Sequence, residues 1–161
     1  MSEANSLARR AHVAELVIAA REARLEGVEL LDGDTDALAA EYNGIGPEFL
    51  PDEIRDEVTR FLALFEPAAL IHDLRYSRAD GSREGFETAN MEFHGNCLNL
   101  ARAKYPWWRF VSRRVAEKTA FALYKAVSSY FGWVAYRRAC KLHASKNVAE
   151  NAANPQNPPI S

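Results

Sequence analysis

The chain is poor in cysteine, with Cys97 and Cys140 its only two, so no disulfide framework is implied. It opens on Met1-Ser2-Glu3-Ala4-Asn5 and a charged amphipathic stretch rather than the apolar core of a secretory signal. Both absences fit a reducing compartment, and the expectation is a cytoplasmic or virion-associated protein. Long apolar runs are also scarce. The best is Thr119–Tyr136, where Lys125 is the one charge in eighteen residues. That central lysine and two serines favour a buried core helix, so no transmembrane segment is expected. No internal repeat or low-complexity block appears, and no recognised nucleic-acid motif accompanies the basic residues, so nucleic acid is not an expected partner.

The remaining composition is that of an ordinary folded domain, 48% hydrophobic and 26% charged. Its charge is unevenly placed. Residues 1–100 hold twenty acidic side chains against nine arginines, whereas residues 101–146 hold eleven basic side chains against Glu117 alone. An acidic half that tolerates a cation and a basic half that faces an anionic surface is one reading. Mutual neutralisation of two halves packed together is the other.

Apolar positions recur at helical spacing through Leu7, Ala11, Leu16, Val17, Ala20 and Leu25, predicting a helix over residues 3–26 that stops at Gly27. Asp32-Gly33-Asp34 reads as a turn and N-cap, since the further ligands of an EF-hand loop are missing. A short helix follows over Thr35–Glu41, then the loop Tyr42-Asn43-Gly44-Ile45-Gly46-Pro47. Pro51 opens one helix and Pro67 the next, which ends near Asp80-Gly81. Ser82 caps another running to about Lys104. Pro106 begins a long C-terminal helix, from Trp107 to about Leu142, bent near Ser128-Ser129 and Gly132. The expectation is a single all-α domain over residues 1–143, with 144–161 a disordered, proline-bearing tail.

The chemistry concentrates in Pro67–Tyr76, where His72 and Asp73 sit together on an otherwise apolar helix. Adjacent helical side chains diverge by about 100°, so the two must serve different partners. Asp73 has the Tyr42–Gly46 loop as a candidate neighbour, and a carboxylate beside inward-turned loop carbonyls is a calcium site in outline. The helices on either side of Asp80 should form an antiparallel hairpin, which brings His72 level with residues 88–91. Asn90 then meets one imidazole nitrogen and leaves the other to accept a proton from water, the arrangement of an oriented general base.

These residues carry a resemblance to the phospholipase A2 superfamily. Its loop pattern Tyr-x-Gly-x-Gly is matched by Tyr42, Gly44 and Gly46, and its helix pattern His-Asp-x-x-Tyr by His72, Asp73 and Tyr76. The resemblance covers about residues 42–100, within a core of residues 42–104, and the short hairpin connection is closer to small bacterial and fungal members than to disulfide-rich secreted ones. It implies calcium held by Asp73 and the carbonyls of Tyr42, Gly44 and Gly46, with His72, Asn90, Tyr76 and the Gly44 amide forming the catalytic set. It also implies peripheral action on a phospholipid membrane surface. Small phage and prophage proteins show a similar pair of helices.

Two positions depart from the pattern. Where the family has Ala-Asp-x-x-Phe, this chain has Ala89-Asn90-Met91-Glu92-Phe93, so the histidine's partner carries no charge. Arg75 stands where secreted members carry a cysteine. The second reading is therefore a non-catalytic binding or structural module that keeps the hairpin.

Weaker constellations are a transition-metal site of His72, His94 and a carboxylate such as Glu92, and an HD-type phosphohydrolase, for which His12 and Asp80 are poorly placed. Ile45, Phe49 and Leu50 are candidates for the rim of an acyl-chain opening. Trp107, Trp108 and Arg109 are candidates for a bilayer interface, although aromatic residues at helical spacing are more often core.

Overall fold

The computed structural model describes residues 3–42 and 52–153. Among them the chain is all-helical: α1 (Glu3–Glu22), α2 (Thr35–Glu41), α3 (Asp52–Ser77), α4 (Arg83–Lys104), α5 (Phe110–Val127) and α6 (Tyr130–Ala153), with 3-10 turns at Val28–Leu31 and Trp107–Arg109.

Helix α1 ends earlier than its periodicity predicts. The Leu25 amide bonds to the Ala20 carbonyl and the Arg24 amide to the Arg21 carbonyl, with Arg24 at φ +50°, a Schellman-type stop without glycine at its left-handed position. Gly27, at φ +88°, opens the following 3-10 turn instead of closing the helix. A Cβ there would come within 2.6 Å of both Glu92 Oε1 and Ile71 Cγ2, so this turn is pressed onto the α3–α4 pair.

Pro67 does not begin a helix. It lies inside α3, which runs unbroken for 26 residues. An interior proline removes one backbone hydrogen bond and costs about 3 kcal/mol. The surrounding residues offset this through burial: Phe65, Ala68, Leu70 and Leu74 are wholly inaccessible, and Leu62, Ala69 and Ile71 nearly so.

Ser82 caps α4 as its sequence implies, its Oγ accepting from the Gly85 amide at 2.9 Å. The preceding turn contains Gly81 at φ +80° and an Asp80 carboxylate that accepts from the Ser82 amide at 2.8 Å. Across the hairpin His72 reaches Asn90 and Tyr76 reaches Phe86, so positions fall along α4 as they rise along α3. That register is antiparallel. Ala116 and Ala120, both fully buried, give α5 a small-residue face in the core.

The expected long C-terminal helix is two helices. Ser128 and Ser129 separate α5 from α6, and a Cβ on Gly132 would fall 1.7 Å from the Val127 carbonyl oxygen. Only glycine lets α6 start so close to the end of α5. The turn brings Tyr136 of α6 into a second cluster with Tyr76, Phe86 and Ala89. Helix α6 also continues to Ala153, past residue 143, because proline first appears at Pro155 and the intervening residues are largely good helix formers. None of the described helices is long and apolar enough to cross a membrane.

Candidate functional site

His72 is buried on the inner side of α3, with 7% of its surface exposed. Its ring packs against Tyr76, with centroids 4.1 Å apart, and against Phe93 at 4.8 Å. His72 Nε2 lies 2.9 Å from Asn90 Oδ1, and the Tyr76 hydroxyl donates to the same oxygen at 2.7 Å. An amide oxygen only accepts, so a neutral His72 must carry its proton on Nε2, leaving Nδ1 as the basic nitrogen. The Asn90 Nδ2 in turn donates to the Val127 carbonyl at 3.5 Å, at the end of α5.

Burial sets the electrostatics. Desolvation lowers the His72 imidazole from its ordinary 6.5 to about 4, and the hydrogen bond to Asn90 only partly opposes it. The ring is therefore neutral at physiological pH. Burial likewise raises the Tyr76 phenol, so that hydroxyl remains a donor.

Asp73 is half-buried and belongs to a second cluster. Tyr42 is buried, and its phenol is raised chiefly by desolvation, then by the negative charges of Glu66 and Asp73. Arg9 of α1 donates from Nη2 to the Tyr42 carbonyl. Glu66 pairs with His12 at 3.1 Å. The Tyr42 hydroxyl is buried with no hydrogen-bond partner among the described residues. The phenol end of Tyr42 thus senses the two carboxylates, while its carbonyl meets the Arg9 guanidinium.

Of the residues singled out from sequence, the structure joins His72, Tyr76 and Asn90 by direct hydrogen bonds, and the charge of Asp73 acts on the Tyr42 phenol, not on the carbonyl singled out from sequence. Gly44 and Gly46 lie outside the described residues, as do Ile45, Phe49 and Leu50. Two contacts are not read from the sequence. The bond from Tyr76 to Asn90 was foreshadowed by the i, i+4 spacing of His72 and Tyr76. Arg9 had no local signal, standing 33 residues from Tyr42.

The transition-metal constellation does not assemble: among the described residues no group of three or more His, Cys, Asp or Glu side chains could hold a metal ion. His94 instead stacks on Tyr124 with centroids 4.9 Å apart, and Glu92 is engaged by Arg75, whose Nε donates to both carboxylate oxygens at 3.1 Å. Trp107 and Trp108, expected in the core on spacing alone, are 76% and 64% exposed.

Compared with protein-family models, curated proteins and solved structures, the chain has no match.

Proposed function

We propose that the His72 site hydrolyses an ester of a glycerophospholipid, with calcium as cofactor and the protein acting peripherally at a phospholipid surface. The observation that supports this reading most is the single oxygen of Asn90 that receives both His72 and Tyr76. It presets the tautomer that a general base requires.

In this reaction His72 Nδ1 takes a proton from water as the water oxygen adds to the ester carbonyl, then returns it to the departing alkoxide. Asn90 and Tyr76 hold the ring in orientation throughout. Asp73 and the carbonyls of Tyr42, Gly44 and Gly46 would hold calcium, whose charge offsets the negative charge developing on the ester oxygen. The Gly44 amide is the oxyanion donor in this scheme. The products are a fatty acid and a lysophospholipid.

A second reading is favoured by one specific observation. An imidazole lowered to about 4 is a weak base at neutral pH, and the neutral Asn90 lends no charge to the imidazolium. Under that reading the chain is a non-catalytic binding or structural module, of the phage-associated kind that its helix pair resembles.

Fatty-acid release from phospholipid vesicles by the purified chain separates the two. The hydrolase reading expects release that requires calcium and is abolished by chelator and by His72→Ala. Release that survives either treatment, or no release with calcium present, supports the module.

A further inference from the structure

One side of the molecule has an unusual surface. Trp107, Trp108, Phe110 and Val111 are between 62% and 76% exposed, a nearly continuous apolar run interrupted only by Arg109. The run leads directly into α5, whose opposite side is fixed in the core by Ala116 and Ala120. On its outward side Val111, Val115 and Phe121 alternate with Arg114, Lys118 and Lys125, all exposed. The one carboxylate of α5, Glu117, is half-buried and held by Arg113 at 3.0 Å and Arg102 at 3.8 Å. Arg114, Lys118 and Lys125 enter no ion pair among the described residues. The outward face thus carries apolar side chains and cations, with no anion.

We infer that this face, from Trp107 to Lys125, docks the protein onto a bilayer that contains anionic lipid. The indoles and Phe110 enter the headgroup and upper acyl region while Arg114, Lys118 and Lys125 meet the headgroup phosphates. A helix of eighteen residues, about 27 Å long, then lies in the plane of the interface and does not cross it.

Other occupants fit less well. Single-stranded nucleic acid would use the cations and stack on the aromatic rings, but aliphatic Val111 and Val115 offer no stacking surface. A symmetric contact with a second copy would bring the unpaired cations of two identical faces together, which is repulsive. The choice of lipid over other anionic partners rests on the reading of His72 as a lipid-ester site. The surface itself does not depend on that reading.

The test uses the full chain carrying His72→Ala, so that hydrolysis cannot alter the membrane during the measurement. Cosedimentation is compared for vesicles of phosphatidylcholine alone and of an equal phosphatidylcholine–phosphatidylglycerol mixture. The mixture should bind on the order of tenfold or more tightly, with a blue shift of tryptophan emission. Trp107→Ala with Trp108→Ala should remove the shift and weaken binding, and Arg114→Glu with Lys118→Glu should remove the preference for anionic lipid. These residues are exposed, so unchanged circular dichroism and melting are expected alongside.

Equal binding to both vesicles, binding indifferent to these substitutions, tighter binding to a single-stranded oligonucleotide, or a dimer in light scattering that the tryptophan substitutions dissolve would each overturn the docking face. Hydrolysis of a monomeric short-chain ester by the unsubstituted chain, without vesicle binding, also defeats the face and spares the active site. Vesicle binding without hydrolysis does the reverse.

Discussion

The Nε2 of His72 and the Oδ1 of Asn90 stand 2.9 Å apart between two helices, both side chains almost wholly withdrawn from solvent. The pair is neutral, which is why burial is tolerable without a counter-charge. The same burial makes His72 a weak base, since desolvation disfavours the charged ring more than the bond to Asn90 favours it.

Stability should depend on pH through His72. The unfolded chain protonates this imidazole near 6.5, whereas the folded chain resists until about 4. Between those values the unfolded state binds more protons, so stability rises with pH, is complete above 6.5 and is lost as pH falls toward 4. The loss is on the order of 3 kcal/mol. Urea unfolding of the wild type and of His72→Gln at pH 7 and pH 4 isolates it: the wild type should lose more, and parallel losses would contradict the buried neutral ring.

Asn90→Asp should move the His72 imidazole in the opposite direction. A buried carboxylate in contact with Nε2 favours the charged ring and should raise it from about 4 to above its ordinary value, as read by NMR titration of the ring protons. In the hydrolase reading, lipid hydrolysis rises with it. The substituted side chain also loses the amide that reaches the Val127 carbonyl, so some loss of thermal stability is expected.

Tyr76→Phe removes one of the two donors to Asn90 while keeping the ring packed against His72. The expected cost is about 1 kcal/mol, or roughly 2–4 °C in Tm by calorimetry. A neutral result would mean that the phenol contributes only its ring packing.

Arg9 stands where a calcium ligand is proposed, its guanidinium on the Tyr42 carbonyl. Arg9→Gln removes that cation, so calcium should bind more tightly by isothermal titration calorimetry. Weaker or unchanged binding would show Arg9 to be a clamp between α1 and the segment after α2, with no competition for calcium.

Much of the helical plan was legible locally. Ser82 announced its cap, the hairpin followed from a short polar turn, and counting out from Asp80 brought Asn90 level with His72. Pro67 misled because proline usually starts a helix, and only the buried side chains on both sides explain why α3 passes through it. The break at Ser128-Ser129 was legible as a bend, but its completeness depends on how closely Gly132 approaches Val127.

The sequence by itself determined an all-helical chain in which His72 faces Asn90 and Asp73 faces elsewhere, because those relations depend on helical period and a short connection. Tertiary structure alone decided that Tyr76 shares the Asn90 oxygen, that the imidazole is neutral, that Arg9 meets Tyr42, and that Trp107, Trp108 and one face of α5 are exposed. The physical reason is that desolvation and long-range contact belong to no single segment. They arise only when α1, α3, α4 and α5 are packed together.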